Sequence, residues 1–216
     1  MLDEGSQAWT RPFPEMPTPR YAPSVISYQK WLVVAGGHTG PSYSNKVEIL
    51  DTLSGQWYKG SPIPSGCTQI SSAVNGNMWY LSSGYISDFK LNKHVFCVNL
   101  DELISQALSQ SAANTSPPTC IPPPWQTLID TPLTSSTVLV LNGALLTVAG
   151  YGNSAIHYYQ PSSRSWVKVG DLPTERWQCA CTVLPNGEIF VVGGRTKIGG
   201  KFERSVRVDL GVLNMM

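Results

Sequence analysis

Four hydrophobic runs in this chain end alike: "WLVVAGGHTG", "MWYLSSGYIS", "ALLTVAGYGN" and "EIFVVGGRTK". Each lands on a pair of small residues (Gly36-Gly37, Ser83-Gly84, Ala149-Gly150, Gly193-Gly194) and then turns polar. A shorter β-rich run precedes each: "PSVISY", "TQISSAV", "STVLVL" and "CACTVL". In three of the four, Asn-Gly separates the two runs: Asn75-Gly76, Asn142-Gly143 and Asn186-Gly187. Asn-Gly accepts the positive φ values of a type I′ turn, whose twist matches that of the flanking strands, so each pair of runs predicts a hairpin. A third run follows, "KVEILD", "HVFCVNL", "AIHYYQP" and "SVRVDL", alternating as a half-buried strand does. A fourth carries a tryptophan: Trp57, Trp125 and Trp166, each seven residues before a proline that opens the next unit (Pro64, Pro132, Pro173).

The small pairs recur at intervals of about 47, 66 and 44 residues, near the ~50-residue period of a propeller blade. The long middle interval contains an insertion over residues 101–122. Four short antiparallel strands per unit, stacked through apolar faces, make a blade, with the tryptophans packing between neighbours. The predicted blades cover residues 20–60, 66–130, 134–170 and 176–211, preceded by an orphan tryptophan strand at 7–13 around Trp9. The glycine pair after an apolar strand, Tyr158-Tyr159 in the third run and the tryptophan strand resemble the kelch repeat. "MPTPRYAPSVISYQKWLVVAGG" and "GDLPTERWQCACTVLPNGEIFVVGG" carry the resemblance most fully. Ser83 and Ala149 depart from it at the first glycine, and the fourth unit has no tryptophan after Leu210.

The resemblance implies an all-β, kelch-type β-propeller array of about four blades. Two arrangements follow from the strand count. The orphan strand closes the last blade and makes a four-bladed ring, or the chain is an arc of a larger propeller. An arc exposes an apolar blade face at each end, and self-association through those faces is the corresponding expectation.

In such blades the loops between second and third strands share a face with the connections between blades. That face is expected to carry Arg20, Tyr21, His38, Tyr43, Tyr85, Tyr151, Arg176, Trp177, Arg195 and Arg204, with Lys90, Glu175, Lys197 and Lys201 nearby. Aromatic and arginine side chains on scaffolded loops suit protein recognition. Arg20 and Arg176 occupy equivalent places in two repeats, which fits a structural role equally. In the insertion, "NLDELISQALSQ" aligns Leu100, Leu103, Ile104, Ala107 and Leu108 on one helical stripe, with Asn99 or Asp101 as the cap. A Ser/Pro-rich tether leads back to the sheet. The insertion reads as a helix packed on the blade edge or as a docking element.

Charge and cysteine content narrow the function classes. Charged residues are 13% and the formal net charge is +1, which offers no bulk attraction for nucleic acid or an anionic membrane. No run reaches the ~20 apolar residues of a membrane-spanning helix, and "MLDEGSQAWT" lacks the features of a secretory signal. Five cysteines without framework spacing read as reduced thiols of a cytoplasmic protein, with Cys179 and Cys181 two apart on one strand face. "GGRTKIGGK" lacks the lysine placement and strand-to-helix context of a phosphate-binding loop.

The expectation is therefore a non-catalytic protein-interaction module of the adaptor or substrate-recognition kind, with no cofactor or metal and a protein partner. Two alternatives stand beside it: a kelch-fold enzyme of the galactose-oxidase or sialate-epimerase type, and a truncated propeller without independent function. The oxidase chemistry needs a Tyr–Cys pair with histidine ligands, and His38, His94 and His157 fall in three different units.

Overall fold

The computed structural model describes residues 2–3, 8–9 and 11–213, apart from 83, 88–89, 113–123, 199–200 and 206–207. Two short strands, β1 (Leu2–Asp3) and β2 (Ala8–Trp9), pair with each other. The first blade is β3 (Ser24–Tyr28), β4 (Trp31–Ala35), β5 (Val47–Asp51) and β6 (Trp57–Gly60). The second is β7 (Ser71–Asn75) and β8 (Met78–Ser82), a side hairpin of β9 (Tyr85–Ser87) and β10 (Lys90–Leu91), then β11 (Phe96–Asn99), helix α1 (Leu100–Ala112) and β12 (Gln126–Thr127). The third is β13 (Thr137–Leu141), β14 (Ala144–Gly150), β15 (Asn153–Gln160) and β16 (Ser165–Asp171). The fourth is β17 (Ala180–Val183), β18 (Ile189–Val192), a side hairpin of β19 (Arg195–Ile198) and β20 (Lys201–Arg204), and β21 (Val208–Gly211).

Each blade is an antiparallel meander. The first three sheets have four strands and the fourth has three, ending at β21. The Trp9 strand therefore does not complete the fourth sheet: Leu2 faces Trp9 and Asp3 faces Ala8 instead. The described sheets form a partial kelch-type propeller, an array of four not joined through Trp9. Two of the loops expected between second and third strands fold further, into the β9–β10 and β19–β20 hairpins.

The Asn-Gly turns differ from one another. Asn142 (φ 50°) and Gly143 (φ 79°) both take positive φ, as a type I′ turn requires. In the second blade Asn75 stays in the ladder opposite Met78, so the turn moves one residue on, to Gly76 and Asn77. In the fourth, Pro185 cannot continue the ladder, and the connection widens to Leu184–Glu188, closed by the Leu184 N–H donating to the Glu188 carbonyl at 2.8 Å.

Alternation sends one face of each sheet toward its neighbour. Val33, Val47 and Ile49 of the first blade meet Trp79, Leu81, Phe96 and Val98 of the second. Val138 and Leu145 pack with Val95 between blades two and three, and Leu139, Leu146 and Ile156 with Ile189 and Val191 between three and four. The tryptophans reach back as packing residues do. Trp57 Nε1 donates to the Pro14 carbonyl at 3.1 Å, Trp125 to Ser61 at 2.9 Å and Trp166 to Ile129 at 3.4 Å.

Helix α1 is capped by Asn99, whose Oδ1 accepts the N–H groups of Asp101 (2.9 Å) and Glu102 (3.3 Å). Leu100, Leu103, Ile104 and Ala107 are buried against the first and second blades, while Leu108, expected on the same stripe, lies at its exposed margin. Tyr28 donates to Asp101 Oδ1 at 2.9 Å and Ser61 to Gln106 Oε1 at 3.1 Å, which ties the helix to the first blade. The Ser/Pro-rich tether falls mostly outside the described residues. Among the described residues, no helix is long and apolar enough to cross a membrane.

Candidate functional site

The repeated small pair builds the site. In each blade the residue before the pre-strand turn presses its carbonyl against the second glycine. A Cβ on Gly84 would stand 2.1 Å from the Thr68 oxygen, and one on Gly194 would stand 2.8 Å from that of Trp177. Real Cβ atoms do not approach so closely, so the position must be glycine. The next residue then pairs with that same segment. Tyr21 and His38 exchange two backbone hydrogen bonds (3.0 and 2.9 Å), as do Thr68 with Tyr85 and Trp177 with Arg195, and the Tyr151 N–H donates to the Thr134 carbonyl. The residue after each pair (His38, Tyr85, Tyr151, Arg195) is thus delivered to one place in every blade.

The turn before each inner strand is equally regular. Ala22, Gln69, Ser135 and Gln178 all take positive φ, between 50° and 55°. The Gln69 N–H donates to the Ala22 carbonyl at 3.0 Å and that of Gln178 to Ser135 at 3.4 Å, so these turns also set the spacing of neighbouring blades.

Where these segments converge lies a cavity of about 1020 Å³. Tyr21, His38 and Tyr43 line one wall, Thr68 to Ser71 with Tyr85 a second, Ser135 to Thr137 a third, and Gln178, Cys179 and Arg195 a fourth. The Tyr21 ring stacks on His38 at 4.8 Å, and Tyr43 meets His38 edge-on at 4.9 Å. His38 Nδ1 accepts the Gly40 N–H at 3.0 Å, so the neutral ring carries its hydrogen on Nε2. Gln178 Nε2 donates to Gln69 Oε1 at 2.8 Å, linking second and fourth blades. Among the described lining residues Arg195 alone carries a permanent charge.

Five of the ten residues singled out from sequence therefore share this cavity: Tyr21, His38, Tyr43, Tyr85 and Arg195. Tyr151, Trp177 and Arg204 lie outside its lining. Trp177 is buried between Tyr151 (ring centroids 5.0 Å) and Phe202 (5.5 Å), and Arg204 pairs with Arg195 in the side hairpin. Lys90, Lys197 and Lys201 are exposed on the side hairpins.

The expectation that Arg20 and Arg176 present their guanidinium groups on this face is corrected. Both side chains are wholly buried. Arg20 pairs with Glu48 and donates to the Gly36 and Lys46 carbonyls at 3.0 Å each. Arg176 pairs with Asp209 at 2.7 Å and reaches the Gly193 carbonyl at 3.4 Å. Each arginine thus clamps a glycine pair to the third strand of its own blade. The corresponding places in the second blade hold Cys67 and Phe96, both buried and apolar.

The polar pre-strand residues, Thr68, Gln69, Ser71, Ser135, Ser136, Thr137 and Gln178, were not singled out from sequence. Their signal is positional: each lies within the three residues before an inner strand or at its first residue.

The other histidines lie apart. His94 Nδ1 is 2.7 Å from Asp130 Oδ1 at the surface, and His157 sits in β15, where burial and then Lys168 lower its pKa. Among the described residues no three His, Cys, Asp or Glu side chains come together as a metal site would need. The four described cysteines are free thiols, and Cys179 Sγ lies 3.8 Å from Cys181 Sγ.

Residues 19–64, the whole first blade, match the Kelch motif. Kelch-like protein 35 of Mus musculus is 25% identical over 180 residues, covering 83% of this chain and 28% of that protein. This chain thus spans little more than a quarter of the curated relative it matches. The motif match, the recurrent glycine clamp and the four-stranded meanders agree: the chain carries a kelch motif in its first blade and is similar to kelch-repeat proteins.

Proposed function

We propose that this chain is a protein-interaction module whose cavity face binds an extended segment of a partner protein, in the manner of an adaptor or substrate-recognition propeller. The supporting observation is the convergence of Tyr21, His38 and Tyr43 from the first blade, Tyr85 from the second and Arg195 from the fourth on one cavity of about 1020 Å³. Stacked aromatic rings supply contact area at low entropic cost, and pre-strand hydroxyls and amides supply hydrogen bonds. Arg195 favours a carboxylate in the bound segment, since a charge-assisted pair there has no acidic competitor in the described lining.

The test is selection of peptides from a random displayed library on the folded chain, followed by rebinding to variants. Tyr85→Ala and Arg195→Glu should each weaken selected peptides at least tenfold. Leu53→Lys, on an exposed turn away from the cavity, should leave them unchanged. Equal binding to all three variants, or no enriched peptide, refutes the proposal.

A further inference from the structure

Cys179 and Cys181 stand two residues apart at the start of β17, both facing the third blade, with sulfurs 3.8 Å apart. Cys179 lines the cavity while packing into the cluster between the third and fourth blades. Thr137 donates to the Cys179 carbonyl at 2.7 Å and holds its hydroxyl 3.7 Å from Sγ. We propose that Cys179 and Cys181 form a redox-responsive dithiol in the cavity wall, closed to a disulfide by hydroperoxides and reopened by small thiols. This inference stands independently of what the cavity binds.

The two thiols are prepared for different roles. The Cys181 hydrogen bond holds Cys179 below the ordinary thiol range, with the Thr137 hydroxyl and the Arg176 charge adding to it. Cys181 is pushed the other way, by the same hydrogen bond and by burial. Cys179 is then the thiolate nucleophile and Cys181 the resolving thiol. The Cys179 thiolate attacks one peroxide oxygen, the O–O bond breaks and hydroxide leaves, giving a sulfenic acid. The Cys181 sulfur displaces that hydroxyl, and its proton departs with it as water. Two thiols and one peroxide become one disulfide and two waters.

Residues two apart on a strand have Cα atoms about 6.6–6.8 Å apart, at the wide end of the range a disulfide spans. The bond can therefore close, and thiol–disulfide exchange with a small thiol reopens it. The device is reversible by construction.

Trypsin releases both cysteines in one peptide, Trp177 to Arg195, with no other cysteine in it. The full chain is treated with stoichiometric hydrogen peroxide, blocked with N-ethylmaleimide under denaturing conditions, digested and weighed. The expected result is this peptide unlabelled and lighter by two hydrogen atoms, restored by glutathione, while Cys67 and Cys97 remain labelled. In Cys181→Ser, dimedone should trap a sulfenic acid on Cys179. The inference is overturned if wild-type Cys179 and Cys181 both stay labelled after peroxide, or if they oxidise without the intramolecular bond.

Discussion

The buried pair Arg20–Glu48 can be dissected by a double-mutant cycle with an internal control. Arg20 is wholly buried, and the Glu48 side chain is 7% exposed. Removing one partner of such a pair leaves an uncompensated charge in the interior, at a cost of about 3–5 kcal/mol. Arg20→Leu also strips charge-assisted hydrogen bonds from the Gly36 and Lys46 carbonyls. The Lys46 carbonyl keeps the Gly36 N–H at 3.1 Å, so the lasting loss falls on Gly36. One such bond is worth about 1.5–3 kcal/mol. Arg20→Leu and Glu48→Leu should thus each destabilise by about 3–5 kcal/mol. The double variant should lose only about 2 kcal/mol, the Gly36 hydrogen bond. The second blade supports this, because Cys67 and Phe96 fill the same two places with no charge at all. Urea unfolding at neutral pH, followed by tryptophan fluorescence and compared at equal slope, measures all three. Additive single effects, or single losses under about 1 kcal/mol, would show the pair to be solvated and refute the reasoning.

Other outcomes follow from particular positions. Gly84→Ala should destabilise by at least about 2–3 kcal/mol, from clash and backbone strain together, whereas Gly76→Ala, with open space around it, should lose only about 1 kcal/mol; thermal melts separate them. Alkylation of Cys179 by iodoacetamide should rise with pH at lower values than for Cys67, whose thiol burial pushes up to about 12. The groups facing Cys179 are Cys181, the Thr137 hydroxyl and Arg176 with its partner Asp209, and their joint effect lowers its pKa, so the reactive thiolate is present nearer neutrality; peptide mass spectrometry against pH reads it. Val192, Val208, Leu210 and Val212 are 37–63% exposed on the outer face and edge of the fourth blade. Light scattering should show concentration-dependent association above 23.5 kDa that Leu210→Lys with Val208→Lys abolishes; a monomer at all concentrations would contradict it.

Blade order, strand alternation and the hairpin connections were legible in the chain because they are local. Alternation decides which residues face a neighbouring sheet, and a glycine after an apolar strand marks where backbone must approach backbone. The repeat period then carried that reading from blade to blade, and with it the equivalence of His38, Tyr85, Tyr151 and Arg195. Periodicity could not separate Arg20 from Arg195, since both sit on connecting segments of similar composition. What separates them is a partner: Glu48 lies 28 residues on, across two strands, and draws Arg20 inward. Trp177 likewise reads as an exposed anchor until Tyr151 and Phe202, from other segments, close around it.

The cavity itself belongs wholly to tertiary structure. Gln69 and Gln178 are 109 residues apart and meet only because the blades curve about a common axis. The apolar pattern by itself determined that there would be blades. Long-range pairing, which orders some polar side chains inward and leaves others at the axis, decided which of them form a site.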